Sequence, residues 1–167
     1  MQTSLFKFAA LVLTMTLMAC SPKFDWREVR GVDAPFTILM PAKAASFSRL
    51  MELDGVNLNL QMTAADAGGV SFAVGYAKVT ETSKIPGVLA AMQAGMLKNI
   101  QATSSKSRQP NGSEIEALGQ LQNGQAVKLL GRFVARGNWV YQVVIIGPEK
   151  TLSAEVVDTF LTSFKPQ

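Results

Sequence analysis

After an opening apolar run, Phe8 to Ala19, the apolar residues of this chain fall into two rhythms. Val56, Leu58, Leu60 and Met62 alternate with Asn57, Asn59, Gln61 and Thr63, and Val70, Phe72, Val74 and Tyr76 alternate with Ser71, Ala73 and Gly75. A period of two predicts strands with one buried face. Residues 47–53 predict a strand before them, turned by Asp54-Gly55, a favoured hairpin dipeptide. Ala67-Gly68-Gly69 makes the next turn. Phe36-Thr37-Ile38-Leu39-Met40 is a shorter run stopped by Pro41, which cannot continue a ladder in a sheet interior.

The second rhythm begins at Pro86, well placed for the first turn of a helix because its missing N–H is not needed there. Leu89, Met92, Met96 and Ile100 recur at spacings of three and four and line one face. Residues 103–113, rich in Ser with a Pro and a Gly, read as an exposed loop. Strand signals then return. Ile115 to Leu118 is short, Asn123-Gly124 marks a hairpin, and 125–135 pairs with 139–146 across Arg136-Gly137-Asn138. Gly147-Pro148 ends that strand. Ser153 is a fitting N-cap for a closing helix with the stripe Val156, Val157, Phe160, Leu161 and Phe164. Most strands are joined by a few residues, too few for parallel crossovers. The order predicts α+β: an antiparallel β-sheet flanked by helices, a single domain over residues 35–167.

The opening run is too short to span a bilayer, which takes roughly 20 residues, and suits the core of an export signal preceded by Lys7. It ends in Leu17-Met18-Ala19-Cys20, which resembles the bacterial lipobox. That resemblance implies a signal peptide over 1–19, cleavage between Ala19 and Cys20, and lipidation of the Cys20 thiol. Residues 20–34 then form a lipidated tether, with Trp26 and Val29 available to pack against the domain. Acyl chains contribute about 0.8 kcal/mol per buried methylene, so two or three hold a protein firmly on a membrane. Ser21, where enterobacterial sorting uses Asp for retention, implies the outer membrane and its periplasmic side; the inner membrane is the alternative. Acylation also removes the liability of a free thiol in an oxidising compartment.

Three segments, Phe36-Thr37-Ile38-Leu39-Met40-Pro41, Tyr141-Gln142-Val143-Val144-Ile145-Ile146-Gly147 and Phe160-Leu161-Thr162-Ser163-Phe164-Lys165, resemble the PsbP-like fold, which includes the extrinsic photosystem subunit and many small bacterial lipoproteins. The resemblance spans about 36–165. It implies an α/β/α sandwich, with a binding or assembly role rather than catalysis.

Composition narrows the chemistry. The 167 residues contain one Cys and no His, so neither an internal disulfide nor the common zinc sets are available. Without His, and with Cys20 acylated, the usual activated nucleophiles are missing. Thr103-Ser104-Ser105-Lys106 falls in a loop rather than on a helix, and the pairs Glu52/Asp54 and Glu114/Glu116 lie beside turns, where solvated carboxylates are ordinary. No catalytic residue, metal or cofactor is expected. A formal charge of +4 is too mild and too dispersed for nucleic acid. Lys128, Arg132 and Arg136 share one strand face by their even spacing and form a candidate patch for an anionic ligand or headgroup. Its plainer reading is the outward face of a half-buried strand. Trp26 and Trp139 are candidate partner contacts or core-edge residues.

The expected function is a non-enzymatic, membrane-anchored periplasmic lipoprotein that binds a protein partner or assists envelope assembly. The alternative is a carrier or sensor of a small apolar or lipidic ligand held between sheet and helix, suggested by eight Met residues and long apolar stripes.

Overall fold

The computed structural model describes residues 23–167. Ala19, Cys20 and the segment read as a signal peptide lie outside the described residues. The described chain runs β1 (Arg27–Arg30), β2 (Phe36–Met40), β3 (Ala45–Leu53), β4 (Val56–Ala67), β5 (Val70–Lys78), α1 (Ile85–Asn99), β6 (Ser104–Ser107), β7 (Glu114–Gln120), β8 (Ala126–Arg136), β9 (Trp139–Gly147), α2 (Ala154–Ser163) and β10 (Lys165–Pro166).

Seven strands form one antiparallel sheet in the order β3-β4-β5-β9-β8-β7-β6. The turns are those the dipeptides demand. Asp54 and Gly55 have φ of 52° and 73°, and Gly68 and Gly69 have 60° and 77°, the double left-handed geometry of tight two-residue hairpins. At Asn123-Gly124 the loop closes with Gly124 N–H donating to the Leu121 carbonyl and the Asn123 side chain accepting from Gln125 N–H.

A second, three-stranded sheet has the order β1-β2-β10, with both neighbours antiparallel to β2. Residues 27–30 thus form a strand inside the stretch read as a tether, and Phe24, Trp26 and Val29 pack on the core around them.

Alternation along the central strands β5 and β9 sends side chains into two separate cores. Phe72, Val74, Tyr76, Tyr141, Val143 and Ile145 join one cluster with Phe36, Ile38 and Met40 of β2 and Val157, Phe160 and Leu161 of α2. Ala77, Val140 and Val144 join the other with Val88 and Met92 of α1. β9 is buried on both faces, so its sequence is a continuous apolar run.

Two expectations are corrected. The closing helix was expected to lie on the large sheet, but α2 packs chiefly against β2, where Leu39 N–H donates to Ser163 Oγ at 3.0 Å. The small sheet takes up part of the face that a helix alone was expected to cover, because β2 turns Phe36, Ile38 and Met40 inward. Residues 104–107, read as loop, form β6, paired with β7 at the sheet edge. All four are exposed and polar, so no hydrophobic period marks them; a charged, polar strand suits an edge, where it discourages further pairing. The architecture is a single α+β domain with antiparallel sheets and two helices among the described residues.

Candidate functional site

The α1 face of the large sheet does not close over itself. Between Ala91, Met92, Gly95 and Met96 of α1 and the strands β3, β4, β5 and β9 lies a cavity of about 390 Å³. Its strand wall is built by register. Phe47, Arg49, Met51 and Leu53 alternate along β3 and pair with Met62, Leu60, Leu58 and Val56 of β4, so all eight share one face. Ala73, Gln142, Val144 and Ile146 continue that wall across β5 and β9.

Size and lining have physical causes. Five of the eight methionines lie among the described residues, and four of them, Met51, Met62, Met92 and Met96, line this space. Unbranched, polarisable thioethers adapt to irregular gaps. Gly95 sits in the middle of α1, where glycine is disfavoured by about 0.8–1.0 kcal/mol relative to Ala. A Cβ there would meet nothing within 4 Å, so the missing side chain leaves open volume at the cavity wall. On the opposite wall Gly75 lets Met62 and Gln142 lie close over the backbone: a Cβ at this position would come 2.5 Å from Met62 Sδ and 2.8 Å from the Gln142 amide nitrogen.

Polar groups are few. Gln142 is 5% exposed, and its amide nitrogen donates to Met62 Sδ at 3.5 Å, a weak acceptor. Arg49 is exposed on β3 and forms no ion pair among the described residues. Asn99, at the end of α1, and Ser71 complete the polar lining. No Asp, Glu or Lys lines the cavity.

The cations singled out by their spacing sit elsewhere, on β8. Lys128 lies 2.9 Å from a Glu116 oxygen and 3.3 Å from Glu149, and Lys106 approaches the same Glu116 oxygen at 3.4 Å. Arg132 is 3.5 Å from Glu114, which Arg108 reaches at 4.0 Å. An Arg132 Nη also donates to the Leu161 carbonyl at 3.4 Å, placing the cation at the C-terminal turn of α2, where positive charge is favoured. Arg132 Nε is buried without a hydrogen-bond partner of good geometry. Lys128 and Arg132 therefore face carboxylates rather than an open anion site. Arg136 stands exposed at the β8–β9 hairpin, opposite Trp139, with no ion pair among the described residues.

The pair Glu114/Glu116, expected to be solvated, is half-buried in this network. The hydrogen bond from Lys128 holds the Glu116 carboxyl below its usual range, and the same bond raises the Lys128 ammonium. Burial raises the phenols of Tyr76 and Tyr141, and the nearby Asp33 carboxylate adds to the effect on Tyr76. Both tyrosines belong to the aromatic core.

Of the remaining candidates, Trp26 stands edge-on to Phe72 at 5.9 Å and Trp139 lies 6.3 Å from Tyr76, so both are core-edge residues. Asp54 sits against Gly87 in the first turn of α1, where negative charge is favoured. Lys106, at the end of the Thr103-to-Lys106 run, is taken up by its ion pair with Glu116. Among the described residues no group of three or more acidic or Cys side chains is placed to hold a metal, and no helix is long and apolar enough to cross a membrane.

Sequence reasoning missed Arg49 and Gln142. Gly95, which with Ala90, Ala91 and Ala94 reads as a small residue allowing α1 to pack closely on a sheet, instead borders open space. The available signals were a cation interrupting the stripe Phe47-x-Arg49-x-Met51-x-Leu53, a lone amide inside Tyr141–Ile146, and a glycine within a helical period. No protein-family model matches the chain, and a search of curated proteins found no match to it.

Proposed function

We propose that the chain is a lipid-anchored, non-enzymatic lipoprotein of the bacterial envelope, held through Cys20 on the periplasmic side of the outer membrane. Its domain, of PsbP-like α/β/α plan, binds a small apolar ligand between α1 and the large sheet. One observation carries the ligand reading: the cavity of about 390 Å³ lined by four methionines. It falls within the roughly 300–1,000 Å³ of small-molecule sites, which are mostly apolar with a few placed polar groups. The mechanism is equilibrium capture. Apolar surface leaves water at about 25 cal/mol per Å² buried, while the thioether side chains adjust to the occupant.

The test is to recover the protein from its own envelope without detergent exchange, extract it with organic solvent and identify co-purifying compounds by mass spectrometry. The expected result is an apolar compound enriched with the wild-type protein and absent from Gly95→Leu, whose added side chain enters the cavity. Equal recovery from both proteins would defeat the ligand reading. For the anchor, Cys20→Ser is expected to leave the membrane fraction; a variant that stays there removes the lipidation step.

A second reading, binding of a protein partner, rests on β3. This strand is an edge of the large sheet, and Phe47 and Leu50 are 59% and 81% exposed on its two faces. Unpaired backbone groups flanked by large apolar side chains suit strand addition by a partner segment. In-cell crosslinking from position 50 is expected to trap one reproducible partner, and a result without any counts against this reading.

A further inference from the structure

We infer that the occupant of the cavity is a single-chain fatty carboxylate whose head is held at the cavity rim by Arg49. The inference rests on the apolar-ligand reading above and narrows it to one ligand class.

The argument starts from the charge inventory of the lining. Arg49 is its one ionised side chain, and no acidic residue faces the space. Every other residue on that face of β3 is apolar: Phe47, Met51 and Leu53, with Ala45 at the strand's start. A cation in the middle of such a stripe interrupts an otherwise continuous apolar wall. On the far half of the sheet, Lys106 and Lys128 meet Glu116 and Arg108 and Arg132 meet Glu114, while Arg136, at a hairpin and away from any cavity, is unpaired among the described residues. Arg49 has no such partner among the described residues, so the guanidinium is available to an anion arriving with the ligand.

The head group follows from the same inventory. A guanidinium presents a planar fork that matches a carboxylate with two parallel hydrogen bonds. A phosphate dianion would call for a second cation, and the lining has none. The tail follows from the interior, where Leu60, Met62, Met92, Met96 and Val144 offer hydrocarbon and thioether surface. Gln142 is the buried exception. Its amide spends a hydrogen on a thioether, which leaves it free to turn toward a polar atom without breaking a strong bond. The cavity, about 390 Å³, lies near the small end of small-molecule sites, and its one cation matches one head group, so a single chain is specified.

The experiment places the mature full chain in nanodiscs of neutral lipid and measures equilibrium dialysis of labelled dodecanoate, dodecanol and dodecyl phosphate, with empty discs as the partition control. Dodecanoate is expected to bind about ten-fold more tightly than dodecanol, the scale of one hydrogen-bonded ion pair, and Arg49→Glu is expected to erase that preference while Arg49→Lys keeps part of it. Gly95→Leu is expected to abolish binding of dodecanoate and dodecanol while its thermal melt matches that of the wild type. Equal binding of acid and alcohol, both lost in Gly95→Leu, overturns the carboxylate assignment and leaves the apolar-ligand reading standing. Tighter binding of dodecyl phosphate than of dodecanoate overturns the assignment in the same way. No binding by any probe, or binding indifferent to Gly95→Leu, overturns both. Arg49 is exposed on an edge strand, so a thermal melt matching the wild type certifies that its variants are folded.

Discussion

On one face of the seven-stranded sheet, a cluster of rings dominates the packing; on the other, a single buried ring, Phe133, packs among thioethers, aliphatic side chains and glycines. Phe72 meets Phe160 edge-on at 5.1 Å, Phe36 meets Tyr76 at 5.0 Å, and Tyr141 lies 5.3 Å from Phe164. That face holds Phe72, Phe160, Tyr141 and Ile38 with almost no exposure, and the groove of about 420 Å³ at its outer side, between β2 and α2, is lined mainly by polar residues such as Glu28, Thr37, Thr162 and Lys165. The α1 face has Leu60, Ala73, Met62, Met92 and Val144 around an open volume. Rigid aromatic rings fill space in fixed geometries and close a core. On the α1 face Gly95 brings no side chain to the layer, and the volume beside it stays open. One sheet thus separates a closely packed face from a face that leaves open volume.

The largest expected effect tests the closed face. Phe72→Ala should destabilise by about 3–5 kcal/mol in urea unfolding, because the ring's neighbours on three sides cannot collapse into the void. On the open face Met92→Ala should cost about 2 kcal/mol, the low end for a buried methionine, because the space beside it is already unfilled. Equal losses at the two positions would erase the contrast between the faces.

A smaller effect concerns the ion network at the far end of β7 and β8. Because the Glu116 pKa is depressed in the folded state, its stabilisation is complete above the ordinary glutamate value of 4.5 and is lost as pH falls through the folded value. Lys128 is raised, so its contribution is present below the ordinary 10.5 and is lost as pH climbs through the folded value. Glu116→Gln should therefore cost about 1–2 kcal/mol at neutral pH and nothing at the acid end, seen as a flatter acid limb in melting temperature against pH. The smallest effect has the opposite sign. Gly95→Ala should stabilise by about 0.8–1.0 kcal/mol, since the added methyl meets no atom and removes a helix-interior glycine. Loss of stability instead would mean that the wall of the cavity is not open at that point.

Much of the fold was legible because period and punctuation agreed. Val56 to Met62 and Val70 to Tyr76 alternate cleanly, and Asp54-Gly55, Gly68-Gly69 and Asn123-Gly124 sit where the chain reverses. Two things were hidden. β1 and β6 are four-residue, largely polar strands whose existence depends on a neighbour's unpaired edge, not on any pattern of their own. The partnering of Lys128 and Arg132 was hidden as well. Even spacing correctly put them on one face, but their carboxylates come from β7 and from the turn at Glu149, and register across strands is not written in one strand's sequence. For the cavity, the methionines were the legible part. That Gly95 would face the space, or that Arg49 would stand at its edge without a counter-ion, depended on how α1 sits over β3 and β4.

The large sheet has two unlike borders. β6 presents Ser104-Ser105-Lys106-Ser107, and β3 presents Phe47 and Leu50 beside its free backbone. Growth into a filament needs adhesion at both ends of each unit, and this domain offers it at one. Strand-to-strand association of concentrated protein therefore terminates at a two-fold pair, with β6 turned to water on either side.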